Sequence, residues 1–336
     1  MERLTNEEAE QYDRQIRLWG LEAQKRLRSS QVLVIGLRGL SAEVCKNIVL
    51  AGVKSLTILD HCRVTSEDMA NRFLVSKEGD YRALQAKVRL QTLNQNVAVE
   101  ADTENVKDKG DDFFKRFDVI CLTDCPTSLM VRLNELCRAN GIKFFCGDVW
   151  GFYGYFFVDL QEHEYAIEVP KVAEDVVMVE GPSTKKVRVE NGGQEMQTIR
   201  KQCSFCSLNN ALSTSWSTKT EKYFKRHPAT FFTIQVLQAF RDRFGADPCQ
   251  QFEEEHANRL LTLRVDIAEK YGVGLGLIDD QFTSYCFSEL SPVCAIVGGV
   301  MAQEIIKAIS ARDVPFSNCF LYDGVLGSGI VEHLGV

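Results

Sequence analysis

The residues whose types and spacing could do chemistry meet first in one turn. It reads Val34-Ile35-Gly36-Leu37-Arg38-Gly39-Leu40-Ser41 and lies between an apolar strand and an apolar helix. In a G-x-G-x-x-G turn of that setting, the middle glycine lets backbone approach a phosphate and the last lets the helix pack close to the strand. Here Gly36 keeps the first place, Arg38 and Ser41 fill the other two, and Gly39 falls between them. An arginine side chain at the middle place occupies space that a phosphate would need. Asp60 follows at the distance where such folds grip ribose hydroxyls, about 20 residues on, and Asp124 ends a later strand. These residues imply a nucleotide-binding fold whose own pocket works poorly or not at all. The competing reading is an ordinary α/β turn that never met a nucleotide.

The elements around these residues are legible from periodicity. Strand Val32 to Ile35, helix Leu40 to Ala51 stopped by Gly52, and strand Leu56 to Leu59 make a βαβ unit. Helix Leu84 to Leu93, strand Phe117 to Leu122, helix Thr127 to Ala139 stopped by Gly141, and strand Lys143 to Cys146 continue the alternation. Strands alternating with helices of this length indicate an α/β fold with a doubly wound, Rossmann-like parallel sheet. Ligands of such sheets sit beyond the carboxyl ends of the strands, where Gly36, Asp60 and Asp124 all fall. Tyr153 to Leu160 is expected to add antiparallel strands at the edge. The stretch 161–204 is polar and reads as a mobile loop, and 205–284 reads as an inserted, mainly helical domain. Residues 285–336 return to α/β character, with helix Pro292 to Ser310, its Gly298-Gly299 pair suited to close backbone approach, and strand Cys319 to Tyr322. The sheet domain is therefore discontinuous: 1–160 opens it and 285–336 closes it.

Composition narrows the function classes. The chain has 336 residues, 45% apolar and 25% charged, with a formal net charge of −7. Such a charge argues against nucleic acid as the main partner, because neutralising phosphates needs clustered Lys and Arg. The longest apolar run, Pro292 to Ala302, is too short to span a membrane, and the acidic start Met1-Glu2-Arg3-Leu4 is unlike a signal peptide. Most of the twelve cysteines lie in apolar strands or helices (Cys45, Cys121, Cys137, Cys146, Cys294), where a thiol acts as a small hydrophobe. They are expected to be reduced, in nucleus or cytosol. Cys203-Ser204-Phe205-Cys206 is the single C-x-x-C pair, without the second pair or histidines a zinc site needs, so no metal is expected. The cluster Lys185, Lys186, Arg188 has the composition of an import signal or of a solvated loop.

The amino-terminal helix opens with a capping box, Thr5 with Glu8, and meets a terminating Gly20. Tyr12, Ile16 and Trp19 share a face that would dock on apolar surface, so Asp13, Arg14 and Arg17 point elsewhere. By themselves those charges read as a solvated face.

Taken together, Tyr12-Asp13-Arg14-Gln15-Ile16-Arg17-Leu18-Trp19-Gly20, the Val32–Asp60 unit, Lys143-Phe144-Phe145 with Gly147-Asp148, Phe287-Ser288-Glu289, Val297-Gly298-Gly299 and Ala302-Gln303-Glu304 resemble the ubiquitin-like-protein activating (ThiF/MoeB-like) family. The resemblance falls on its SUMO branch, spans nearly the whole chain and is weakest across 161–260. It implies an enzyme that adenylates the C terminus of a ubiquitin-like protein with Mg-ATP and captures it as a thioester on a cysteine. It also implies a pair of sheet domains, of which one houses the ATP site. The altered turn puts this chain on the silent side, with a degenerate site at Gly36, Arg38, Gly39, Ser41, Asp60, Arg82 and Asp124, and no cofactor expected on this chain. Its expected partner is a larger, thioester-forming subunit that binds the Mg-ATP, with SUMO met through the complex.

The departures from the family point the same way. Where active members carry an Asn-x-x-Arg-type segment, an ungapped reading gives Ala70-Asn71-Arg72-Phe73, shifted by one, and Arg82 replaces a lysine. No Pro-x-Cys-Thr-like segment marks a thioester cysteine. Asp124 matches the family's magnesium-binding aspartate and, with Asp60, keeps open a self-sufficient adenylating enzyme. An NAD-dependent oxidoreductase on the same βαβ unit is disfavoured by Arg38 and by the lack of a catalytic His or Tyr constellation. The resemblance further implies that Arg14 reaches across a subunit interface to the partner's ATP phosphates.

Overall fold

The computed structural model describes residues 5–71, 73–170, 196–216, 219, 221–224 and 229–335. Short, almost wholly apolar runs form the centre of its sheet, as strands covered on both faces must. The strands are β1 (Gln31–Ile35), β2 (Ser55–Leu59), β3 (Ala98–Asp102), β4 (Val119–Leu122), β5 (Lys143–Trp150), β6 (Tyr153–Asp159), β7 (Glu162–Pro170), β8 (Met196–Ser204), β9 (Cys319–Asp323) and β10 (Ser328–Glu332). Eight of them make one sheet in the order β10-β9-β6-β5-β4-β1-β2-β3. Neighbours from β3 to β5 are parallel, and β6, β9 and β10 add antiparallel neighbours. From β1 the chain winds outward through β2 and β3, then returns to β4 on the other side of β1. The gap between the carboxyl ends of β1 and β4 is thus the topological switch point, where ligands of such sheets bind.

The helices are α1 (Asn6–Gln11), α2 (Asp13–Trp19), α3 (Leu21–Ser29), α4 (Gly39–Ala51), α5 (Ser66–Asn71), α6 (Arg82–Leu93), α7 (Asp111–Phe114), α8 (Thr127–Asn140), α9 (Leu208–Leu212), α10 (Glu221–Phe224), α11 (Thr230–Phe244), α12 (Glu253–Tyr271) and α13 (Ser291–Ser310). Alternation along the strands sorts them into two cores. Val32 and Val34 face Leu27 of α3, α4, α6 and α13, whereas Leu33 and Ile35 face α8, α11 and α12. Left-handed glycines end helices where expected, Gly52 after α4 and Gly141 after α8. The Thr5–Glu8 capping box is present, but the first helix breaks at Tyr12 into α1 and α2.

Two expectations from the sequence need correction. Residues 205–284 are largely helical, yet they share a core with the sheet instead of building their own. The reason is α11, whose apolar residues Phe231, Phe232, Ile234, Val236, Leu237 and Phe240 fall on more than one face and must be covered on two sides; it packs against α12 and against β6 and β9. The flanks of the polar stretch 161–204 form a two-stranded antiparallel ribbon, β7 with β8, from Glu162 opposite Ser204 to Pro170 opposite Met196. Its charges pair across strands, Arg200 with Glu164 at 3.1 Å, so a solvated ribbon reads as polar sequence. Residues 171–195, with Lys185, Lys186 and Arg188, lie outside the described residues.

Helix α13 is long and apolar enough to cross a membrane by length and composition, but 67% of its most apolar window is buried in the fold. Gly298 is where it crosses α4: a Cβ there would lie 2.7 Å from Glu43 Cβ and 3.0 Å from the Leu40 carbonyl.

Candidate functional site

The turn after β1 is closed by its own residues. Gly36 has a positive φ of 79°, and a Cβ on it would stand 2.2 Å from the Thr123 carbonyl at the end of β4. Three successive amides then point at acceptors within the chain. Leu37 N–H donates to Asp60 Oδ2 (2.6 Å), Arg38 N–H to Ser41 Oγ (2.7 Å) and Gly39 N–H to Glu289 Oε2 (2.8 Å). Such amides are what a phosphate cradle offers its anion. Asp60 is buried and spends its second oxygen on Cys62 N–H (2.6 Å). Burial lifts its carboxyl above the usual range, against the pull of the Cys62 and Leu37 amides and of Arg82.

Arg38 fills the middle of the turn, and its guanidinium is held by carboxylates from two elements. Nε lies 3.2 Å from Asp124, and Nη1 donates to Asp247 in the link between α11 and α12. Burial alone would lower its pKa, but Asp124, Asp247 and Glu289 outweigh that and raise it. A second buried arginine, Arg241 of α11, binds Asp148 (2.7 Å) and Asp247 (2.7 and 2.9 Å), and approaches Asp124 at 3.5 Å. Its guanidinium lies 4.8 Å from the centre of the Trp150 ring, whose Nε1–H donates to Asp247 at 2.9 Å. The two guanidiniums overcome the effect of burial and hold the Asp247 carboxyl well below the usual carboxylate range. Asp148 accepts Asp124 N–H at 2.7 Å, which fixes Asp124 in its left-handed conformation, φ 57°. Every oxygen that Asp124 would offer a metal thus faces an arginine.

Two cavities flank this knot. One, of about 190 Å³, lies over the switch point and includes Gly36, Asp60 and Asp124. The other, of about 260 Å³, includes Arg38, Arg82, Asp68 and Asp247. Arg82 is a two-pronged partner of Asp68, at 2.8 and 3.1 Å. The structure therefore gathers Gly36, Arg38, Gly39, Ser41, Asp60, Arg82 and Asp124 around one place. Arg72 lies outside the described residues. Asp247, Arg241 and Glu289 complete the arrangement without having been singled out as site residues. One signal was available: Arg241 falls on the buried stripe of α11 with Ile234 and Leu237, where an unpaired charge would be costly.

Arg14 is set differently. Tyr12 is buried, accepts a hydrogen bond from Asn94 Nδ2 at 2.7 Å and packs over Gly52, where a Cβ would come within 2.5 Å of its ring. Gln15 donates to the Leu50 carbonyl at 3.2 Å, and Trp19 Nε1–H to Gln24 at 3.3 Å. These anchors seat α2 on α3 and α4. Arg17 pairs with Asp13 at 3.0 Å. Arg14 is exposed, and among the described residues no hydrogen bond or ion pair holds its guanidinium.

The cysteines divide as their sequence context suggests. All twelve are free; Cys45, Cys121, Cys137, Cys146 and Cys294 are buried, and burial pushes the Cys45 thiol up to about 12. Cys203 and Cys206 part company: Cys203 Sγ faces the His163 carbonyl at 3.7 Å, and Cys206 Sγ meets Asn318 Nδ2 at 3.1 Å. Among the described residues one trio has metal-ligand spacing, Asp60, His61 and Cys62. Both Asp60 oxygens already take amides, and burial with the Asp60 charge raises the Cys62 thiol to about 11. That donor set suits a metal poorly, because the thiolate is the ligand form.

Residues 12–331 match the ThiF family. The chain is 49% identical over 336 residues to SUMO-activating enzyme subunit 1 of Xenopus laevis, covering 99% of this chain and 97% of that protein. The Danio rerio protein of the same name is 50% identical over 335 residues (98% and 96%), and the Homo sapiens one 47% over 336 residues (99% and 96%).

Proposed function

The chain belongs to the ThiF family, and from that membership we propose that it is the smaller, non-thioester-forming subunit of a heterodimeric SUMO-activating enzyme. Relatives alike over nearly their full length carry the name subunit 1 of that enzyme. In this reading the partner, a larger subunit, binds Mg-ATP, adenylates the SUMO C terminus and forms the thioester. This chain alone is inactive but required. A reducing compartment, nucleus or cytosol, suits its twelve free thiols.

One observation carries the silent half of the proposal: the phosphate turn is saturated from within. Its amides at 37, 38 and 39 are occupied, and Arg38 stands in the phosphate's place with Asp124 and Asp247. Mg-ATP does not fit this turn, whose amides and central space are already taken. Asp124, the residue that most favours a self-sufficient enzyme, is committed to Arg38 and Arg241.

The contribution in trans falls to Arg14. Tyr12, Gln15 and Trp19 fix the helix that carries it, while its guanidinium stays exposed. A preorganised guanidinium offers several fixed donors and stays charged, so at a subunit boundary it stabilises negative charge developing on a departing pyrophosphate. ATP–pyrophosphate exchange, measured with SUMO for this chain, for the larger subunit and for their mixture, tests the division of labour. Exchange should need the mixture; exchange by this chain alone would defeat the reading.

A further inference from the structure

Arg14 stands far from the turn of its own chain. Its helix is seated on the end of α4, by Gln15 on the Leu50 carbonyl and by Tyr12 over Gly52, whereas Arg38 stands at the start of α4. The 13 residues of α4 span roughly 20 Å at about 1.5 Å per residue, beyond the reach of an arginine side chain. The Arg14 guanidinium therefore serves a site outside this chain, and its usefulness there depends on how firmly α2 is placed.

One buried amide fixes where that helix begins. Asn94, in the link between α6 and β3, is only 3% exposed. Its Nδ2 donates to the Tyr12 hydroxyl at 2.7 Å and to the Val49 carbonyl at 2.9 Å. Its Oδ1 accepts from Gln11 Nε2 at 3.2 Å and from Asn96 N–H at 3.1 Å. A side-chain amide has two donors and two lone pairs, so each of them is used. These bonds tie the end of α4, the α6–β3 link and the amino-terminal arm to one point. Tyr12 is also the junction between α1 and α2, with φ −99° and ψ 13°, and its side chain makes no cap bond to α2. The start of α2 thus depends on where Tyr12 is held, and Arg14 follows two residues later.

We infer that Asn94 is a positioning residue for Arg14: through Tyr12 it sets the start of α2, and so the place at which the guanidinium is presented to the partner's departing pyrophosphate. This role rests on the proposed action of Arg14 in trans and names what holds that arginine in place. Asn94 itself touches no substrate. Its effect is one of geometry, and a misplacement of about 1 Å can cost about 10²-fold in rate.

A double-mutant cycle on ATP–pyrophosphate exchange is the test, run with SUMO on purified 1:1 complexes of the full chain and the larger subunit. Asn94→Ala should lower the rate per complex about 10-fold or more. Added to Arg14→Ala, the same substitution should cost less than about 2-fold further, because a residue acting only through Arg14 then has nothing left to place. Should Asn94→Ala fail to fold, Tyr12→Phe removes the hydroxyl and keeps the ring over Gly52. It should give a smaller loss that likewise vanishes in the Arg14→Ala background. An equal fall in both backgrounds would assign Asn94 to general support of the fold and overturn the positioning role. So would a normal rate for Asn94→Ala beside a slow Arg14→Ala. Both results leave Arg14 in the mechanism. A normal rate for Arg14→Ala would remove the arginine, and the positioning role with it.

Discussion

Two arginines near the amino end of this chain have opposite surroundings. Arg38 is enclosed, with Asp124 and Asp247 on its guanidinium and Glu289 adding to its field. Arg14 stands on a helix whose other side is anchored by Tyr12, Gln15 and Trp19, and among the described residues its own charge is left unanswered. An arginine inside a low-dielectric pocket must be neutralised by the chain that buries it. An exposed one can be kept for a partner at little cost to stability. The contrast teaches how one fold can enclose a guanidinium in carboxylates at one place and leave the same residue type exposed at another.

Removing a member of the closed knot should have the largest effect. Arg241→Ala leaves buried Asp148 without its arginine and buried Asp247 with Arg38 alone, and should cost about 3–5 kcal/mol of stability, read from the denaturant midpoint. A loss below about 1 kcal/mol would show that the knot contributes little. Arg14→Ala should do the reverse. Folding stability should change by less than about 0.5 kcal/mol, while exchange in the mixture falls about 10²–10³-fold, the range for losing one preorganised donor. Association should persist, and Arg14→Lys should recover only part of the rate because it lacks the planar fork. Normal exchange by Arg14→Ala would remove this residue from the mechanism.

Arg38→Ala should cost about 1–3 kcal/mol, the penalty of stripping Asp124 of a charged partner. It should not create an ATP site, because Asp60, Ser41 and Glu289 still hold the turn amides. An effect confined to acid pH belongs to His163 in the ribbon. Burial, helped by nearby Lys143, pushes its imidazole down to about 4. Below an unfolded value of about 6.5 the unfolded chain binds the proton that the folded chain refuses. Its contribution is therefore complete above pH 6.5 and lost as pH falls toward 4. His163→Phe should flatten that part of the pH–stability curve, and an unchanged slope would rule the histidine out as its source.

Much of this contrast was legible in the residues. Gly36, Arg38, Asp60 and Asp124 are local signals, each at the end of a strand that apolar periodicity marks. The seating of α2 was legible too, from Tyr12, Ile16 and Trp19 at helical spacing. The partners of Arg38 were not. Asp247 and Arg241 come from a helical block that reads as a separate domain until α11 is seen to need the sheet. Strands β7 and β8 escaped notice because the ribbon has a buried face only at the start of β7, where His163 and Tyr165 alternate with exposed Glu162 and Glu164, too short a run to stand out in a polar stretch. Strand β3 has an exposed–buried–exposed start, Ala98-Val99-Glu100, and only five residues, too little pattern to separate it from a loop.

The stoichiometry of Mg-ATP binding to the 1:1 complex with the larger subunit tests the central claim most directly. One nucleotide per heterodimer, with this chain by itself taking up none of comparable affinity, is the expected result. Two equivalent sites, or one that survives on the isolated chain, would contradict the account.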